Sequence, residues 1–180
     1  MRLFKYEGYN LTISEEAMLL KPFKALWKRD KNRNKENALR ELGFIYFMED
    51  PRSDYQVYTD IEERARQIKL GEGISDDWEP DSLVEEARKF YSSFKSASAL
   101  LAEDIRYAIE KLRVKMRTMD LDALDDKGKP IYSIDSYTRT IKQIPDLIIS
   151  LDEAEKAIAR EIVSSDKVRG SAEKSMFEDE

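Results

Sequence analysis

The chain has 180 residues, with 31 Lys and Arg against 37 Asp and Glu, and a net charge of −6. It contains neither Cys nor His, which excludes disulfides, thiolate zinc sites, Cys and Ser-His nucleophile systems and an imidazole proton shuttle. Hydrophobic residues at 41% are enough for one core, while the net acidity argues against a protein devoted to wrapping nucleic acid. No apolar run approaches the roughly 18 residues of a membrane span, and "MRLFKYEGYN" has no apolar leader region, so neither a spanning helix nor a signal peptide is expected.

In chain order, residues 1–30 read as an N-terminal arm with a basic segment. "RLFKYEGYNLTI" fits a short strand or an ordered arm, and Ser14 before Glu15 and Glu16 fits a helix N-cap. Pro22 breaks or restarts that helix. Between residues 21 and 40 stand Lys21, Lys24, Lys28, Arg29, Lys31, Arg33, Lys35 and Arg40, against only Asp30 and Glu36. Lys21, Lys24 and Lys28 share one helical face, and Phe23, Leu26 and Trp27 another. A helix is expected from about Asn34 to Met48, ended by Pro51. Its last turns are apolar nearly all round, as suits a buried element. A second short helix follows from a Thr59 or Asp60 cap to Gly71. Residues 72–86 then carry seven acids and no base, with Pro80 suited to a first helical position.

Two long stripes complete the pattern. Leu83, Ala87, Phe90, Phe94, Ala97, Leu101, Ile105, Ala108, Leu112, Met116 and Met119 recur every 3.6 residues, which predicts one helix over about 81–119. Tyr137, Ile141, Ile144, Ile148, Leu151, Glu155, Ile158 and Ile162 predict another over about 135–163, kinked at Pro145. Joined by "DLDALDDKGKP", they make a long antiparallel helical hairpin. The fold class is therefore all-α: a helical bundle on that hairpin, with two shorter N-terminal helices and flexible termini. The expected divisions are 1–30, a helical domain 31–164, and a C-terminal tail 165–180.

No catalytic, cofactor or metal residues emerge. Counted from Asp120 as a calcium loop, position 5 is Leu124, position 6 is Asp125 and position 12 is Ile131, so the pattern fails at three places. Glu62–Glu63 and Glu85–Glu86 are adjacent on helices and diverge by about 100°, so neither pair converges on one bond. Walker, dinucleotide and nucleophile-elbow strings are missing. The candidates are contact surfaces instead. Lys21, Lys24, Lys28, Arg29, Lys31 and Arg33 suit a solvated face, an acidic partner such as the 72–86 segment of a second copy, or DNA. Phe44, Tyr46, Phe47, Arg52, Asp54 and Tyr55, with Met176 and Phe177 in the tail, suit either a core or a partner interface.

The stretches "ALRELGFIYFMEDPRSDY" (38–55), "DALDDKGKPIYSIDSYTRTIKQIPDLIISLDEAEKAIAREI" (122–162) and "VRGSAEKSMFEDE" (168–180) resemble virion structural proteins of the crAss-like tailed phages. The likeness covers most of residues 34–180. It implies a head–tail connector subunit in the virion: a dodecameric ring beneath the portal, in contact with portal, ring and tail proteins, with DNA passing through. It implies no active site and no membrane, and termini that reach a partner. Assignment to the connector follows from size and helix count. The alternatives are a DNA-handling or packaging-associated protein using the basic segment, and a hydrolase with a carboxylate-only metal site.

Overall fold

The computed structural model describes residues 3–7 and 10–170. Two strands and seven α-helices follow one another: β1 (Phe4–Glu7), β2 (Asn10–Ile13), α1 (Glu15–Leu19), α2 (Lys21–Arg29), α3 (Glu36–Glu49), α4 (Ile61–Gly71), α5 (Ser82–Ser92), α6 (Ala97–Thr118) and α7 (Ile134–Gly170). A 3-10 turn, Asp54–Val57, links α3 to α4. The architecture is all-α, as the periodicity predicts, with one small antiparallel hairpin added.

The described residues form two compact units. The first runs to Ser96 and takes up the chain again at Ile158; the second is Ala97–Ala157. In the first unit, β1 and β2 pair Phe4 with Ile13 and Tyr6 with Leu11. Period-2 alternation turns Phe4 and Tyr6 inward and leaves Lys5 in solvent. Residues 3–7 and 10–30 are thus part of the first unit and not an arm. Leu3, Phe4, Phe23 and Leu26 are fully buried members of the core.

Local signals set the helix starts. Ser14 caps α1 by accepting from the Ala17 amide, 3.2 Å, and Asp60 caps α4 through the Glu63 amide, 2.8 Å. Pro22 sits at the start of α2, where its missing N–H leaves no bond unmade. Pro80 falls outside α5, because Asp81 caps that helix through the Leu83 and Val84 amides.

The first unit is organised around α3. Every residue from Leu42 to Asp50 is buried, and α2, α4, α5 and the 3-10 turn all pack on this helix. Its exit is closed by side chains rather than solvent. Ser53 Oγ donates to the Phe47 carbonyl at 2.9 Å, while Gln56 Nε2 and Arg64 Nη1 donate to that of Met48 at 3.0 and 2.9 Å. These are carbonyls that a helix end leaves without partners. Aromatic contacts fill the space beside it: Phe4 stacks on Tyr91 at 5.1 Å, and Phe44 meets Trp78 edge-on at 4.9 Å.

The helix expected over 81–119 is two helices. Period alone carries Phe90 and Phe94 along one stripe, but residues 93–96 do not continue the rotation. The Ser93 hydroxyl donates to the Phe90 carbonyl at 2.6 Å. Lys95 leaves the stripe's pattern to pair with Glu49 at 2.8 Å. Serines that bond local backbone offer an alternative to the helix ladder, and the ion pair fixes it. At the other end, α7 continues to Gly170 rather than yielding to a tail at residue 165.

In the second unit, Asp125 organises the connection between α6 and α7. Its carboxylate accepts from the Lys127 and Lys129 amides at 2.9 and 2.8 Å, Gly128 takes φ +72°, and Leu124 bridges Pro130 antiparallel. The acids of this loop are turn-formers. Arg106 Nη2 meets Glu155 at 2.7 Å across the two helices.

Phe47 is 6% exposed and touches Tyr6, Tyr46 and Tyr55 edge-on or nearly so. Replacing it with Ala is expected to destabilise the isolated chain by about 3–5 kcal/mol in urea unfolding. A loss below about 1 kcal/mol would mean the ring is not core.

Candidate interaction surfaces

The aromatic run Phe44–Phe47 resolves as core. Phe44, Tyr46 and Phe47 are 3–6% exposed, so the three rings are corrected from interface to interior. Arg52 also turns inward. It grips Asp50 with Nε at 2.7 Å and Nη2 at 2.6 Å, and Nη2 reaches the Phe4 carbonyl at 3.3 Å. This paired hydrogen bonding raises the guanidinium pKa further, against the effect of burial. Tyr91 donates to the same Asp50 carboxylate at 2.5 Å, and burial, followed by the nearby Asp50 charge, pushes its hydroxyl pKa upward. Glu49 is neutralised in turn by Lys95 and by Arg88 at 3.3 Å. The end of α3 thus carries two buried acids whose charge the helix dipole disfavours, offset by three cations. Met176 and Phe177 lie outside the described residues.

Two members of the sequence-derived set remain at the surface. Asp54 is exposed and Tyr55 half-buried. With Tyr6, the edges of Tyr46 and Phe47, and Glu72, they line a cleft of about 620 Å³ at the C-terminal end of α3. Tyr55 Oη donates to Glu72 at 2.9 Å, and burial together with that bond pushes its pKa up to about 12. Gly71 borders this wall so closely that a Cβ there would lie 2.1 Å from Tyr55 Oη.

At the opposite end of α3 stands the basic segment. Phe23 and Leu26 of α2 are buried, and Lys21, Lys24 and Lys28 are exposed on the outer face, as the spacing predicts. Arg29 departs from its neighbours: it pairs with Glu41 at 2.6 Å and with Asp81. It is a structural cation, and the acidic 72–86 segment adjoins α2 within the same chain. Lys69 likewise pairs with Glu79 at 2.8 Å. Asp30 then orders the next turn. Its carboxylate accepts from the Asn32, Asn37 and Ala38 amides at 2.8–3.0 Å. The side chain caps α3 from outside the helix, since Lys35 at the cap position has φ 55° and no side-chain cap. Lys31 and Arg33 are left exposed on this turn, in no ion pair among the described residues.

The second unit is poorly cored. Its buried hydrophobic residues are Ala99, Ala102, Ile105 and Ala154. Leu100, Leu101, Tyr107, Val114, Ile134, Ile141, Ile148 and Ile149 are all more than 40% exposed. The stripe expected to close as a hairpin seam is open at Leu101, Ile141 and Ile148.

Among the described residues no three carboxylates come together as a metal site would need, and no helix is long and apolar enough to cross a membrane. No protein-family model, no curated protein and no solved structure matches the chain.

The backbone amides of Ala38 and Asn32 hold the Asp30 carboxyl below the ordinary carboxylate range. A lowered folded-state pKa contributes stability above the unfolded value, and this is lost as pH falls through the folded one. Asp30→Asn is therefore expected to lower urea stability at pH 7, with the gap from wild type closing below about pH 4. A gap of equal size at pH 7 and pH 3 would contradict the charge-based cap.

Proposed function

We propose that the chain is a structural subunit of a larger assembly, recruited through α6 and α7. The observation that carries this is the second unit's imbalance: three alanines and one isoleucine inside, and at least eight large apolar side chains outside. Isolated exposed apolar residues are ordinary, but a run of them along two helices marks a contact surface. Covering Ile141, Ile148 and their neighbours from outside would supply the burial that the unit lacks by itself.

The finer reading is a head–tail connector ring in a tailed-phage virion, bound beneath the portal and surrounding the DNA channel. It is supported by the resemblance of residues 34–180 to crAss-like phage virion proteins and by the helical architecture. The role is scaffolding rather than catalysis. Light-scattering mass of the chain mixed with the portal ring of such a phage tests it. The expected result is a portal mass raised by a whole number of 21.1 kDa subunits. Ile141→Ser with Ile148→Ser is expected to abolish that rise while changing the isolated chain's stability by within about 0.5 kcal/mol for each exposed site. An unchanged portal mass with the wild-type chain would remove the connector reading.

The alternative, a DNA-handling protein, draws on the exposure of Lys21, Lys24, Lys28, Lys31 and Arg33. It requires DNA retention that weakens steeply between about 50 and 200 mM salt, and that disappears when Lys21, Lys24 and Lys28 are changed to Gln. Retention indifferent to those changes would end it.

A further inference from the structure

We infer that copies of this chain join head to tail, the turn bearing Lys31 and Arg33 of one copy entering the cleft between Tyr6, Tyr55, Asp54 and Glu72 of the next. This rests on the assembly reading above and names a contact within it. The two surfaces lie at opposite ends of α3, which at 14 residues is about 21 Å long. A surface and its complement at different places on one chain define a heterologous contact, the kind that closes rings or extends filaments. Asp81 and Glu79 of the 72–86 segment do not serve in this way, because they already engage Arg29 and Lys69 of their own chain.

The chemistry of the two surfaces is complementary. The cleft offers aromatic faces and edges from Tyr6, Tyr46, Phe47 and Tyr55, with the exposed carboxylates of Asp54 and Glu72 on its rim. Arg52, which also borders it, has its charge held by Asp50. Aromatic rings flanked by carboxylates favour a guanidinium or ammonium group over a neutral side chain. The other end of α3 presents Lys31 and Arg33, exposed and in no ion pair among the described residues, on a turn that Asp30 holds in shape. About 620 Å³ admits one such side chain with its stem.

The test is sedimentation velocity of the full chain, without portal, at about 50 and 500 mM salt. Self-association at low salt that weakens at high salt is expected, since an exposed charge contact is screened over about 10 Å at 0.1 M and less above it. Lys31→Glu with Arg33→Glu is expected to weaken association about tenfold or more, and Asp54→Lys with Glu72→Lys to do the same. Mixing the first variant with the second makes every junction between unlike copies oppositely charged, one of them the wild-type pairing and the other its reversal, so association in alternation should return although neither variant associates alone. Asp54→Lys alone retains the Tyr55–Glu72 bond and serves if the double change unfolds, as read by circular dichroism. A monomeric wild-type chain at low salt, or association that both charge reversals leave unchanged, overturns the contact. Loss of DNA retention in the Lys31/Arg33 variant with unaltered self-association overturns it too. Portal binding that survives these variants leaves the assembly reading standing without this junction.

Discussion

A helix buried on every side constrains everything around it. From Leu42 to Asp50, α3 has no face to give to water, so each direction from its axis must be occupied by another element. The hairpin of β1 and β2, α2, α4, α5 and the 3-10 turn are those occupants, and their identities follow from what each direction requires. Phe23 and Phe4 supply bulk on one side and Trp78 on another. Ser53, Gln56 and Arg64 supply donors where the helix ends in an apolar setting. An unpaired carbonyl there costs about as much as a lost hydrogen bond. The polar loop after Pro51 is accordingly part of the support for α3.

Burial of the helix end also explains the density of charge beside it. Glu49 and Asp50 stand where the dipole is negative, and both are nearly inaccessible to solvent. Two such groups persist only with partners, and Lys95, Arg88, Arg52 and Tyr91 provide them. Lys95, three residues beyond the end of α5 at Ser92, is one of the cations that meet Glu49. The break that separates α5 from α6 and the neutralisation of α3 are thus one arrangement viewed from two ends.

Much of this was legible in the sequence, and the exceptions have physical causes. Ser14 as a cap, Thr59 or Asp60 as the next one (Asp60 in the structure), Pro51 as a stop and the apolar last turns of α3 are local signals, and each stands where the spacing places it. The interior location of Phe44, Tyr46 and Phe47 was one of two open readings, because a ring can be buried by its own chain or by another. The break at residues 93–96 was illegible: Phe90 and Phe94 keep perfect period, and only a partner 46 positions away, Glu49, shows that Lys95 is drawn aside. Arg29 looked like any other member of the basic cluster for the same reason, since Asp81 and Glu41 are distant in sequence. The Tyr6–Tyr55–Glu72 cleft joins three separate segments, and no spacing rule connects them. For α7, polar residues after Val163 read as a tail, yet a helix can continue through polar positions without an apolar stripe.

The turn held by Asp30 has a consequence for rates and entropy. A surface loop that orders only when it meets a partner must give up its conformational freedom at that moment, which weakens the contact. Here three amides are fastened to one carboxylate, and Lys35 is locked in a left-handed backbone conformation. The disorder of residues 30–37 is therefore surrendered when the chain folds, and their backbone meets any neighbour already in shape. What remains to be restricted is the rotamer freedom of the long Lys31 and Arg33 side chains, a smaller cost than ordering the whole turn.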